Sequence, residues 1–148
     1  MAPFDGHLAR PLLEALDAEL VARYDNEDEV FPVHRAVDFA PPRGTFLLAT
    51  DDGVAVGCAG LRATSSGETA EVKRMYVTPA ARGRRLGEQL LDALLDAARQ
   101  LGYARLILET GLRQPEAIVL YERTGWTRIP PYGDYRNSPL SVCFGREL

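Results

Sequence analysis

Glu71-Val-Lys-Arg-Met-Tyr-Val-Thr-Pro-Ala-Ala-Arg-Gly-Arg-Arg-Leu-Gly87 is the stretch on which the fold turns. Val72 to Val77 has the composition of a short strand, Thr78-Pro79 turns it, and an Arg/Gly loop opens a long helix. In that order the unpaired N–H groups of a helix start and the positive end of its dipole meet at one point, which suits an anion. A pyrophosphate is the anion expected there. Arg82, Arg84 and Arg85 crowd the same loop. Alone, such a cluster reads as readily as a solvated face, and its place at a helix start favours the ligand.

Downstream, Leu86, Leu90, Leu91, Leu94, Ala97, Ala98 and Leu101 recur at helical spacing, and Gly102 suits the end of that helix. Ala104 to Leu108 reads as a buried strand, and Pro115 opens a short helix over Glu116 to Arg123, closed by Gly125. Trp126–Ile129 and Leu140–Phe144 read as two last strands around a loop rich in Pro, Tyr and Gly. Upstream, Leu12, Leu13, Leu16, Leu20, Val21 and Tyr24 predict a helix from about residue 10 to 24. The acidic run 25–29 then reads as a solvated loop, and 30–44 as irregular with one helical turn, where His34 is an ordinary loop residue. Thr45–Ala49 and Val54–Arg62 are strands joined by an Asp51-Asp52-Gly53 turn. Ser65-Ser66-Gly67 leads into the strand that starts near Thr69. The class is α/β (α+β), a mixed sheet with crossover helices.

A chain of 148 residues with 46% hydrophobic content is expected to form one domain over 1–148. A formal net charge of −4 speaks against a nucleic-acid groove, and no apolar run reaches the length of a membrane span. A cytoplasmic protein is expected. Cys58 and Cys143 each sit in a strand-like run without metal-ligand spacing, so both read as buried free thiols, and no metal is expected.

Two motifs carry a resemblance. Arg82-Gly-Arg-Arg-Leu-Gly87 resembles the acyl-CoA loop of the GCN5-related N-acetyltransferases, Gln/Arg-x-x-Gly-x-Gly/Ala, with Arg85 where the middle glycine is usual. Gln114-Pro-Glu-Ala-Ile-Val-Leu-Tyr121, followed by Gly125-Trp126, is similar to that family's second signature, with Gln114 in place of Asn. The resemblance implies a sheet of six or seven strands, splayed between the fourth and fifth, and acetyl-CoA as co-substrate. It also implies a strand before the first helix, which residues 1 to 10 do not supply clearly.

Under that resemblance Met75, Tyr76, Val77, Arg82, Gly83, Arg84, Arg85, Leu86, Gly87 and Gln114 hold the cofactor. Met75 and Val77 would bond the pantetheine arm as though it were another strand, where the family's strand bulges. Gly83 and Gly87 allow the backbone close to the phosphates. Arg85 is expected to take an ordinary helical backbone with its guanidinium directed outward. Tyr121 is the candidate acid, because a phenol of pKa about 10 can protonate a departing thiolate whose acid has a pKa of about 8.5. Glu71 is the candidate base for the ammonium form of the acceptor, with Glu109 on the next strand, or a water, as alternatives.

Tyr24, Arg35, Glu109, Tyr132 and Tyr135 are expected around the acceptor, and Arg35 or Arg136 could pair with an acceptor carboxylate. The function expected is acetyl transfer to a primary amine of a small molecule by direct attack, since neither cysteine nor serine sits in a nucleophile context. An acyl-CoA sensor without turnover, and an acetyltransferase of a protein or aminoacyl-RNA amine, stay open. So does a homodimer.

Overall fold

The computed structural model describes residues 3–24 and 34–148. The chain runs α1 (Arg10–Tyr24), a 3-10 turn (Ala36–Phe39), β1 (Thr45–Asp51), β2 (Val54–Ala63), β3 (Thr69–Val77) and α2 (Leu86–Gln100). It continues through β4 (Arg105–Gly111), α3 (Pro115–Arg123), β5 (Thr127–Ile129), a 3-10 turn (Gly133–Tyr135) and β6 (Ser141–Glu147). The strands make one mixed sheet in the order β1-β2-β3-β4-β6-β5, parallel only between β3 and β4. The α/β class and the six strands expected from the sequence are thus present. Among the described residues no strand precedes α1, and the acidic run 25–29 lies outside them.

Alternation along the strands splits the core in two. Ala59, Leu61 and Val72 face α2, where Leu90, Leu91, Leu94 and Ala98 return the apolar stripe read from the sequence, with Tyr121 of α3 in the same cluster. Phe46, Cys58 and Tyr76 face Leu12 and Leu16 of α1 and Phe39. Asp52 (φ 49) and Gly53 (φ 78) both lie at positive φ, the conformation of a tight hairpin whose twist suits its flanking strands.

One irregularity positions the site. Against β2, Cys58 pairs with Tyr76 but Gly60 pairs with Lys73, so Arg74 and Met75 together stand opposite Ala59. Arg74 takes φ 58. This is a β-bulge, and it bends β3 away from β4. The β3–β4 ladder accordingly runs from Thr69↔Arg105 to Val72↔Leu108 and stops. Beyond it the two strands diverge, which is the splay expected from the resemblance; it falls between the third and fourth described strands.

Candidate acyl-transfer site

Two clefts open where β3 leaves β4. The first, about 580 Å³, runs between the β3–α2 loop and α3, and is lined by Met75, Tyr76, Val77, Arg82, Gly83, Arg85, Leu86, Gly87 and Gln114 among others. The second, about 430 Å³, lies between α1, β3 and β4, with Lys73, Arg74, Met75, Glu109 and His34 in its wall. Leu16, Met75, Gln114 and Tyr121 line both, so the clefts meet at these side chains.

The first cleft ends at the start of α2. Gln89 is the first residue whose N–H bonds to the carbonyl of Arg85 (3.1 Å), and the N–H groups of 86–88 have no partner inside the helix. Gly83 (φ 87) leaves open space where a side chain would stand. Gly87 has a different reason to be glycine, because a Cβ there would lie 3.1 Å from Leu120 Cδ2, tight enough that the leucine would have to shift. Arg85 corrects the sequence expectation. Its backbone is left-handed, φ 61 and ψ 23, so this loop retains the conformation usual for glycine and imposes it on an arginine. Its side chain is 84% exposed, directed outward as expected.

The arginines of the loop are not equivalent. Arg82 donates from Nε to the Val77 carbonyl (3.0 Å), pairs through Nη2 with Glu19 (2.8 Å) and lies over the Tyr76 ring. It therefore ties the loop to α1 and occupies a backbone acceptor that the pantetheine arm was expected to use. Arg84 pairs with Asp51 at the surface and does not line the cleft.

At the junction Tyr121 is buried, its ring packed on Trp126 and Phe144 and its hydroxyl 3.7 Å from Met75 Sδ. Burial, reinforced by the charge of Glu109, raises its pKa well above that of an ordinary phenol, so it stays protonated. Gln114 caps α3 and donates from Nε2 to the Tyr24 hydroxyl (3.2 Å). Tyr24 itself is fully buried over Gly111 and lines neither cleft, so it holds Gln114 instead of bordering them.

The two carboxylates named from the sequence part company. Glu109 lines the second cleft and accepts a hydrogen bond from Ser141 Oγ (2.8 Å). Glu71 is buried beneath a different, outer cavity. It accepts from Arg62 Nε (3.0 Å) and from the Tyr132 hydroxyl (2.5 Å), with Lys73 Nζ 3.5 Å away. Burial and Glu71 together raise the pKa of Tyr132, which remains the donor. Tyr135 borders both the second cleft and the outer cavity, and bonds to Lys73 Nζ. Arg35 and Arg136 border only the outer cavity, and Arg35 pairs with Asp38 (2.9 Å).

Sequence reasoning set His34 aside as a loop residue and missed Lys73 and Arg74. Lys73 had a signal, since it shares a strand face with Glu71 two residues away. Arg74 had none, because only the bulge turns it into the cleft. Both cysteines are free and buried; burial pushes the Cys58 thiol up to about 12 and the Cys143 thiol up to about 11, so neither is a nucleophile at neutral pH. Among the described residues no cluster of metal-ligating side chains occurs, and no helix is long and apolar enough to cross a membrane.

Both the sequence and the fold have counterparts among known proteins. Residues 10–126 match the model of the acetyltransferase (GNAT) family. An IAA acetyltransferase of Azospirillum brasilense is 40% identical over 109 residues, covering 74% of this chain and 71% of that protein. A solved chain from Klebsiella pneumoniae with an acyl-CoA N-acyltransferase designation superposes with TM-score 0.82 at 32% identity, covering 99% of this chain and 94% of its own. A GNAT acetyltransferase from Elizabethkingia anophelis, solved with acetyl-CoA bound, shares the fold at TM-score 0.62 and 21% identity over 88% of this chain and 82% of that one. The chain belongs to the GNAT family and is an N-acetyltransferase of that family.

Proposed function

We propose that this protein moves an acetyl group from acetyl-CoA to a primary amine of a small molecule, by direct attack within a ternary complex. The observation that carries the reading is the position of the Tyr121 side chain, which lines both clefts where they meet. A protonated phenol at that junction can pass its proton to the departing sulfur as the new C–N bond forms and the C–S bond breaks. Glu109 accepts the proton of the attacking amine, directly or through a water. It is favoured over Glu71 because it borders the second cleft and its charge acts on Tyr121, while Arg62 and Tyr132 hold the Glu71 carboxylate elsewhere.

The loop from Gly83 to Gly87 fits a pyrophosphate, with helix N–H groups at hand and no side chain on Gly83. Acetyl-CoA bound to the Elizabethkingia relative, and the small-molecule name of the Azospirillum relative, support the choice of donor and of acceptor size. The second cleft has the volume of a small-molecule site. Calorimetry with acetyl-CoA and a thiol-release assay across a panel of amines test the proposal. Binding with amine-dependent release is expected. Binding without release for any amine would favour a sensor, and absence of binding would remove the proposal.

A further inference from the structure

The second cleft carries charge of both signs. Glu109 shares its wall with Tyr121, and its charge acts on both the phenol and Lys73. His34, Lys73 and Arg74 form the other part of the wall. Lys73 and Arg74 are consecutive, and in a regular strand they would point to opposite faces; the bulge at Arg74 brings both to one cavity.

These groups are incompletely satisfied. Arg74 has a side chain only 10% exposed; Nη1 pairs with Asp17 (2.8 Å) and Nη2 donates to the Leu13 carbonyl (3.3 Å). Its Nε, and Nε2 of His34, are buried without a hydrogen-bond partner among the described residues. Lys73 Nζ bonds to Tyr135 and lies 3.5 Å from Glu71, a carboxylate that Arg62 already holds. Arg62, Lys73 and Arg74 thus meet Glu71 and Asp17, and the charge of Glu109 also reaches Lys73. Burial first, and then the charges of Arg74, Lys73 and Arg62 against that of Asp17, lower the pKa of His34 to about 4 and keep it neutral. Buried polar groups without partners are costly, and a ligand that supplies them is favoured.

We propose that the acceptor is an amine that also carries a carboxylate, its amine end at Glu109 and its carboxylate held by Lys73, Arg74 and His34. This rests on the acetyl-transfer reading and adds the class of acceptor. A carboxylate supplies an acceptor for the buried, unpartnered Nε of Arg74, and Glu109 draws the amine end to the wall it shares with Tyr121. Arg35 and Arg136, the arginines first considered for this role, border a different cavity.

The test is thiol release from acetyl-CoA with primary-amine carboxylic acids and their carboxamides as matched pairs. Loss of a charge-assisted contact predicts kcat/KM about ten- to a hundredfold higher for the acids. Arg74→Gln raises KM more for the acids than for the carboxamides and so narrows the difference between them, with Arg74→Lys restoring part of it. If Arg74→Gln does not fold, His34→Leu, a change outside the sheet, gives the same selective loss. Acids no better than carboxamides would overturn the inference, as would a protein that binds acetyl-CoA and turns over no member of either set. A protein that binds no acetyl-CoA overturns the acetyl-transfer reading and this inference with it.

Discussion

Arg85→Gly should stabilise the protein although it deletes a long side chain. Arg85 sits at φ 61, ψ 23 ahead of α2, in the left-handed region. For an L residue this conformation costs about 1–2 kcal/mol. Glycine removes that cost but brings back about 0.5–1 kcal/mol of unfolded-chain entropy. Little else is lost, because the side chain is 84% exposed and its nearest carboxylate, Glu88, is 4.0 Å away. The net gain is about 0.5–1 kcal/mol, or a Tm rise of about 1–4 °C for a chain of this length. Thermal melts of wild type, Arg85→Gly and Arg85→Ala check it, since alanine deletes the side chain and keeps the strain. The glycine variant should melt above both. A glycine variant that melts with or below the alanine variant would refute the reasoning.

Other expectations concern the buried charges and the supports of the site. Glu71→Gln leaves Arg62 and the buried Lys73 without their carboxylate, and should destabilise by about 3–5 kcal/mol in denaturant unfolding. His34 is held neutral with its pKa lowered from about 6.5 to about 4, so in that window the unfolded chain binds the extra proton. Its contribution therefore makes stability fall as pH drops from about 6.5 to about 4, and His34→Gln should flatten that slope in denaturation curves taken across the window. Gly111→Ala would set a Cβ 1.6 Å from the Tyr24 hydroxyl, displacing the residue that holds Gln114. A loss of about 1–3 kcal/mol is expected by thermal melting.

Much of the fold was legible because local signals agreed. The apolar stripe of α2, the Asp52-Gly53 hairpin and the Pro115 helix start are each set by neighbours in sequence, and each is found where periodicity and turn chemistry put it. The first cleft was legible for the same reason, since Arg82–Gly87 and Gln114–Tyr121, which contribute to its wall, are local motifs. The rest of the site was not. What Glu71 does depends on Arg62 across the ladder and on Tyr132, which is 61 residues away, and no local pattern records such pairings. Arg74 joins the cleft through a bulge visible only in the register of β2 against β3. Arg85 shows the converse limit: a side chain at this position suggested an ordinary helical backbone, and the loop kept the glycine geometry.

The central claim is that proton donation at the junction of the two clefts drives acetyl transfer, and Tyr121→Phe tests it most directly. The change removes one oxygen and leaves the ring against Trp126 and Phe144. With acetyl-CoA and a turned-over amine, kcat should fall by about 10²–10⁴-fold, the usual worth of a general acid, while calorimetric affinity for acetyl-CoA is unchanged. A phenylalanine variant that retains the wild-type kcat would contradict the account.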